Sequence, residues 1–163
     1  MAKTVDVNLI NPFIESTLEC LQQMAGCQPS RKRVFIKKDT EMHGNISGVI
    51  GLSNGITGSC AVSFPQILAE RIVAAFLGEE LPLDEQMIHD GIGEVANMVA
   101  GGAKMRFSKS GFNFSISTPT VIAGSPTQLW NPAEVVSIAC EFTARSDWEE
   151  TFLIEVATKP ADK

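Results

Sequence analysis

Apolar side chains recur at helical spacing in three separate stretches of the chain. The first covers about 8–25 and is followed by Gly26, and glycine is common just after the end of a helix. The second is framed by a proline and a glycine at about 65–78. The third extends from Asp84, which is a suitable helix N-cap, to about 108. We expect a helix in each stretch.

Alternating or continuous apolar runs between these stretches predict strands. They fall at about 33–40, 44–52, 56–64, 112–118, 135–144 and 148–157. Ser53-Asn54-Gly55 is typical of a hairpin turn and joins the second and third of these strands. The segment 124–132 is rich in turn-forming residues, so we expect a loop there.

The order of these elements is a helix, three strands, a linker helix, a second helix and three more strands. A shift of 75 residues relates the polar positions of the two long helices, and it places Asp90, Glu94, Asn97 and Gly101 on Glu15, Glu19, Gln22 and Gly26. Helical periodicity alone can also produce such a match. We predict a single α+β domain over 1–163, with pseudo-repeat halves at about 8–64 and 83–157 and a linker helix at about 65–78.

The third predicted helix separates polar and apolar side chains. At about 100° per residue, one narrow polar stripe contains Asp90, Glu94, Asn97, Gly101 and Lys104. The opposite side contains Ile88, Ile92, Val95, Ala96, Val99 and Ala103. We expect the apolar side to face the core and the polar stripe to face outwards. A Glu and an Asn three residues apart are also common on helix faces that are merely solvated.

Glycines and methionines surround this polar stripe. A glycine in a helix interior is less favourable than alanine by about 1 kcal/mol, so we expect something to pack closely where glycines occur. The residues concerned are Gly91, Gly93, Gly101, Gly102, Met87, Met98 and Met105. Methionine is an adaptable residue at protein contacts, although methionines at helical spacing more often belong to the core or its rim.

Composition narrows the classes of function. The chain is 44% hydrophobic and 20% charged, and no apolar run reaches the roughly 20 residues that cross a bilayer, so we expect a soluble cytoplasmic protein without a membrane partner. A net charge of −6 argues against a nucleic-acid partner. The one basic cluster, at 31–38, is expected to solvate a strand edge.

Other candidate sites are weak. The four cysteines form no Cys-x-x-Cys pair and are expected to be free thiols, and the two histidines are isolated, which argues against a zinc site or a nucleophilic triad. The glycine-rich segment 44–51 lacks the Gly-Lys-Ser/Thr of a phosphate-binding loop. Close strand packing is the better explanation of its glycines.

The spacing Asp90-x3-Glu94-x2-Asn97, followed about twenty residues later by Pro119, resembles the signature of the CheC/CheX/FliY family of chemotaxis phosphatases. The resemblance is closest to the CheX branch. Three further segments are similar, namely Asn11-Pro-Phe-Ile-Glu15, the glycine-rich strands at 44–62 and Thr118-Pro119. The resemblance implies a CheC-like fold, with helices packed on an antiparallel-rich sheet.

The resemblance also implies a reaction, the hydrolysis of the aspartyl phosphate of a CheY-like response regulator. In this family the regulator supplies the phosphoryl group, Mg²⁺ and a lysine, so the chain would need no cofactor or metal of its own. The resemblance assigns water positioning to Asn97, pairing with the regulator's lysine to Glu94 and a supporting role to Asp90. The expected partner contacts are Met98, Gly101 and Lys104.

A homodimer joined through its sheets is implied as well, together with an inactive first helix, because Gln22 stands where an Asn is expected. Two alternatives remain open. One is a noncatalytic response-regulator-binding adaptor or flagellar-switch-related module, which would keep the docking surface but would not need Asn97. The other is a structural dimerisation module, in which the polar stripe is only solvated. The glycines and methionines around the stripe count against the second alternative.

Overall fold

The computed structural model of the chain describes residues 6–124, 128 and 130–159. Within these residues the three helices are α1 (Asn11–Ala25), preceded by a 3-10 turn at Val7–Ile10, α2 (Gln66–Leu77) and α3 (Glu85–Lys109). The strands are β1 (Ser30–Lys37), β2 (Ile46–Ser53), β3 (Gly58–Phe64), β4 (Ser115–Ile116), β5 (Thr120–Ala123), β6 (Val136–Thr143) and β7 (Thr151–Thr158). The helices pack on an antiparallel sheet, which confirms the predicted α+β class.

The helix ends follow from local chemistry. The Asp84 carboxylate accepts a hydrogen bond of 2.7 Å from the Gln86 amide and caps α3, as predicted. Gly26 and Gly78 end α1 and α2 with φ angles of +63° and +66°, a left-handed conformation that glycine adopts without strain. The first helix begins three residues later than predicted, because the turn before Pro12 is a 3-10 turn.

Two strand predictions were wrong in their extent. Of the predicted 112–118 strand, only Ser115–Ile116 is a strand, although the Ser117 amide also donates to the Gly51 carbonyl of β2. The chain then passes Pro119 and pairs with β2 again as β5, which was not predicted. Proline has no N–H to donate to a strand ladder, so it divides this edge into two short pieces. β7 begins at Thr151 because the residues before it form a turn, in which the Trp148 amide donates to the Arg145 carbonyl.

Two other boundaries also differ. β1 begins at Ser30, opposite Thr143, and ends at Lys37, three residues earlier at both ends than predicted. The predicted loop at 124–132 contains one isolated bridge, between Gln128 and Glu41, while 125–127 and 129 lie outside the described residues.

The strand order is β1-β6-β7-β3-β2-β4, with β5 also paired to β2. The order is symmetric between the two halves. Exchanging β1 with β4, β2 with β6 and β3 with β7 gives the same order in reverse. This symmetry of the strand order is what the predicted pseudo-repeat halves would give. The middle of the sheet then comes from both halves, since β7 pairs with β3.

The face of the sheet opposite the helix-covered core contains buried polar side chains. On it, the Lys37 ammonium lies 3.6 Å from the Glu155 carboxylate, and both side chains are only 6% exposed. Ser47 and Ser63 share a hydrogen bond of 2.8 Å on the same face. The basic cluster was predicted to solvate a strand edge, and this holds for only part of it. Arg31, Lys32 and Arg33 are exposed on the edge strand β1, whereas the Lys37 side chain is held in an ion pair and is shielded from solvent.

Candidate active site

The predicted division of α3 into two faces is confirmed. Every apolar residue assigned to its inner side is at most 4% exposed, namely Ile88, Ile92, Val95, Ala96, Val99 and Ala103. The outer side carries the polar residues, which we call the α3 stripe: Asp90, Glu94, Asn97, Gly101 and Lys104. Within it, Asn97 and Gly101 are half-buried and the other three residues are exposed. A partner molecule can therefore reach every member of the stripe.

Close packing explains three of the four glycines of α3. A Cβ on Gly91 would lie 2.6 Å from a Val73 methyl group of α2, and a Cβ on Gly102 would clash with the Ser16 hydroxyl of α1. A Cβ on Gly93 would be 3.3 Å from Val121 of β5. These glycines let α1, α2 and β5 approach the helix that carries the stripe.

Gly101 is different, and the expectation of close packing was wrong there. Apart from its two chain neighbours and the backbone of α3 itself, no described atom would lie within 4 Å of a Cβ at this position. Gly101 is four residues after Asn97, about one helical turn along the same stripe. The surface at Gly101, one turn along from Asn97, is therefore open.

Two neighbouring segments border the stripe. On one flank α1 packs against α3, where the Ser16 hydroxyl donates a hydrogen bond of 2.7 Å to the Val99 carbonyl. On another flank, the Pro119 ring lies 3.7 Å from where a Cβ of Gly93 would stand. Thr118 and Pro119 are both exposed. The structure thus brings together the two parts of the sequence signature, the helix motif and the proline about twenty residues later.

The polar side chains of the stripe are mostly unpaired. The Asp90 carboxylate accepts a hydrogen bond of 2.8 Å from the Gln86 amide group, one turn earlier. The side chains of Glu94, Asn97 and Lys104 make no hydrogen bond or ion pair with the residues that the structure describes. Asp90 is therefore held in place, while Glu94 and Asn97 have their full hydrogen-bonding capacity available for a partner.

The methionines beside the stripe differ in exposure. Met98 is half-buried and packs against the core, so it belongs to the rim of the stripe. Met87 and Met105 are 37% and 61% exposed. Exposed methionines of this kind provide an adaptable apolar surface next to charged groups.

The related stripe on α1 is already occupied. The guanidinium of Arg106, on α3, forms ion pairs with Glu15 and Glu19, and the Arg106 hydrogen bond lowers the pKa of the Glu19 carboxyl. The sequence did not single out Arg106, because its partners are more than eighty residues away on another helix. Burial raises the pKa of the Cys20 thiol to about 11, and the negative charges of Glu94 and Glu19 raise it further. Cys20 therefore lies near an acid of α3 and an acid of α1.

Within 6–124, 128 and 130–159, no group of three or more histidine, cysteine or acidic side chains is arranged to hold a metal ion. The same residues contain no helix both long and apolar enough to cross a membrane. The candidate site is thus an exposed helical surface with a carboxylate, a carboxamide and an open glycine.

This fold and this surface define an α+β protein whose longest helix carries an exposed polar stripe. The family model described as chemotaxis phosphatase CheX matches residues 46–143, which is more than half of the chain. The chain belongs to the CheX family. The helix motif, from Asp90 to Lys104, lies inside the matched region.

Known relatives cover nearly the whole chain. The CheY-P phosphatase CheX of Thermotoga maritima is 27% identical over 147 residues, which are 89% of this chain and 94% of that protein. The crystal structure of CheX from Desulfovibrio desulfuricans is 30% identical, with a TM-score of 0.85, and the match covers 94% of this chain and all of that one. CheX from Vibrio vulnificus is 34% identical, with a TM-score of 0.82 and coverage of 94% and 100%. These structures confirm the CheC-like fold.

Proposed function

We propose that the α3 stripe is the active surface of a CheY-P phosphatase. The reaction is the hydrolysis of the aspartyl phosphate of a CheY-like response regulator. One observation carries the proposal. The side chains of Glu94 and Asn97 are accessible and have no hydrogen-bond or ion-pair partner among the described residues, and they stand beside the open Gly101. A merely solvated helix face would not need an open glycine at a position where alanine would be more favourable.

Asn97 is the proposed water-positioning residue. Phosphoryl transfer to water needs the attacking oxygen in line with the phosphorus, and the catalyst contributes mainly position and charge. A carboxamide both donates and accepts hydrogen bonds and does not titrate, so it can orient water at any physiological pH. The half-buried position of Asn97 restricts its side chain more than full exposure would.

Glu94 is the proposed docking acid. Its carboxylate is exposed and has no cationic partner among the described residues, so a lysine of the regulator can pair with it without displacing an internal contact. Asp90 is one turn earlier and is held by Gln86, which fits a supporting role. Met98, Gly101 and Lys104 continue the same surface and are the proposed partner contacts.

Mg²⁺ is proposed to belong to the regulator and not to this chain. Mg²⁺ prefers several oxygen ligands in octahedral geometry, and the described residues offer no such acidic cluster. CheX of Borrelia burgdorferi was crystallised in a complex with CheY, BeF3 and Mg²⁺; that protein is 21% identical to this chain, with a TM-score of 0.77. In this proposal, Mg²⁺ bound to the regulator neutralises the negative charge of the phosphoryl oxygens.

A homodimer joined through β1 is proposed for the active form. In the described sheet β1 is an edge strand, paired only with β6, and Val34 and Ile36 on it are 40% and 46% exposed. An eight-residue edge with exposed apolar side chains can extend its ladder with a second copy. The α3 stripe is on a different element from β1, and we expect it to stay accessible in such a dimer. The proposed compartment is the cytoplasm, which the four buried free thiols support.

The decay of a radiolabelled phospho-regulator tests the proposed reaction. The chain should accelerate loss of the label in the presence of Mg²⁺, with release of inorganic phosphate. A noncatalytic adaptor would bind the regulator and leave its decay rate unchanged. Binding without acceleration would therefore reject the phosphatase and favour the adaptor.

A further inference from the structure

Two helices of this chain carry the same spacing of polar residues. On α1 we call Glu15, Glu19 and Gln22 the α1 stripe; their spacing of four and three residues matches that of Asp90, Glu94 and Asn97. All three residues of the α1 stripe are exposed. A partner that recognises a carboxylate and a carboxamide at this spacing thus has two places to dock on one chain.

Arg106 distinguishes the two stripes. Its Nε lies 3.4 Å from the Glu15 carboxylate, its Nη2 donates to the Glu19 carboxylate, and its Nη1 donates to the Gly102 carbonyl at 3.1 Å. The Arg106 side chain is only 26% exposed, so α1 and α3 hold it between them. These contacts on three sides fix the planar guanidinium in place.

Among the described residues, no cation pairs with the acids of the α3 stripe. Glu94 makes no ion pair with any residue that the structure describes, and Asp90 is bound only by the neutral amide of Gln86. Lys104 belongs to the same stripe and makes no ion pair with Glu94 or with other described residues. An incoming lysine therefore meets a free carboxylate on α3, whereas on α1 it must displace an arginine.

We propose that Arg106 is a specificity-determining residue, which occupies Glu15 and Glu19 and thereby directs the regulator to the α3 stripe. The inference rests on the proposed function, because it concerns where the regulator docks. Arg106 acts on docking through the two glutamates and does not take part in the reaction. The α1 stripe lacks an asparagine, so docking there would be unproductive and would compete with turnover.

The test measures binding of a CheY-type regulator loaded with BeF3 and Mg²⁺ by titration. Glu94→Gln should weaken binding about tenfold, because the docking carboxylate is lost. Adding Arg106→Gln to Glu94→Gln should restore most of the binding, since Glu19 then loses its cationic partner and keeps only the neutral amide of Gln23, but it should not restore turnover. A third change, Glu19→Gln, should remove the restored binding again.

Two controls isolate the role of the guanidinium. Arg106→Lys keeps a positive charge beside Glu19, so in the Glu94→Gln background it should restore little binding. Arg145→Gln removes the same charge from the exposed pair of Arg145 with Asp147 and should restore none. If Glu94→Gln/Arg106→Gln binds no better than Glu94→Gln/Arg145→Gln, the inference is wrong while the proposed function stands. If the unmodified chain does not bind the regulator, or if Glu94→Gln binds as tightly as the parent, the proposed function fails and the inference fails with it.

Discussion

Replacing Gly101 by alanine separates the requirements of folding from those of docking. Outside the backbone of α3 and its two chain neighbours, an alanine Cβ at this position would have no described atom within 4 Å, so the folded chain should accommodate it. In a helix interior alanine is more favourable than glycine by about 1 kcal/mol. We therefore expect the free energy of unfolding to rise by about 1 kcal/mol. For a domain of this size that raises Tm by roughly 2–4 °C.

The same methyl group would stand on the surface that we assign to the regulator. Gly101 follows Asn97 by about one turn, so added bulk should hold the docked regulator away from the water-positioning carboxamide. A displacement of about 1 Å can lower a rate by about 100-fold. We expect kcat/KM for the phospho-regulator to fall at least tenfold, or about 1.4 kcal/mol, in a protein that is more stable than its parent.

The assay pairs urea or thermal denaturation with the decay of the phospho-regulator, and Gly91→Ala is the matched control. Its Cβ would lie 2.6 Å from Val73, so this variant should lose about 1–3 kcal/mol of stability through overpacking. Its folded fraction should still dephosphorylate the regulator normally. A fully active Gly101→Ala would refute the assignment of Gly101 to the partner contact. A less stable Gly101→Ala would refute the reasoning about its open surroundings.

Three further predictions concern docking, the α1 stripe and assembly. Glu94→Ala should weaken both docking and turnover, and Glu94→Lys should be worse, because two positive charges then meet; equal effects of the two variants on a binding titration would contradict the proposed lysine pairing. Gln22→Ala should leave the rate of dephosphorylation at the parent level, and a large loss would give the α1 stripe a catalytic role. Light scattering at micromolar concentration should give twice the chain mass of 17.6 kDa, and Val34→Lys should lower it, whereas a monomeric parent would rule out the proposed dimer.

The long helices could be predicted from the sequence because their signals are local. The apolar face of α3, the Asp84 cap and the glycine ends of α1 and α2 all depend on residues within a few positions of one another. The polar stripe was recognisable for the same reason. Once the start of a helix is known, its periodicity determines which residues share a face. The stripe could therefore be assigned before any tertiary contact was known.

The remaining features depend on contacts between distant parts of the chain. The sequence alone did not give the pairing of β7 with β3, because strand partners are chosen by global packing. The division of one predicted strand into β4 and β5 around Pro119 was missed for a related reason, since both pieces pair with β2. Arg106 went unnoticed because helical spacing reveals partners on the same helix and not on a neighbouring one.

Asn97→Ala tests the central claim most directly. The substitution removes a half-buried carboxamide that has no hydrogen-bond partner among the described residues, so the fold should be retained. If Asn97 holds the attacking water, the variant should bind the regulator nearly as tightly as the parent and should lose most of the accelerated dephosphorylation, because the lost interaction is made in the transition state. A variant that dephosphorylates the regulator as fast as the parent would contradict the proposed mechanism and leave the noncatalytic adaptor as the better account.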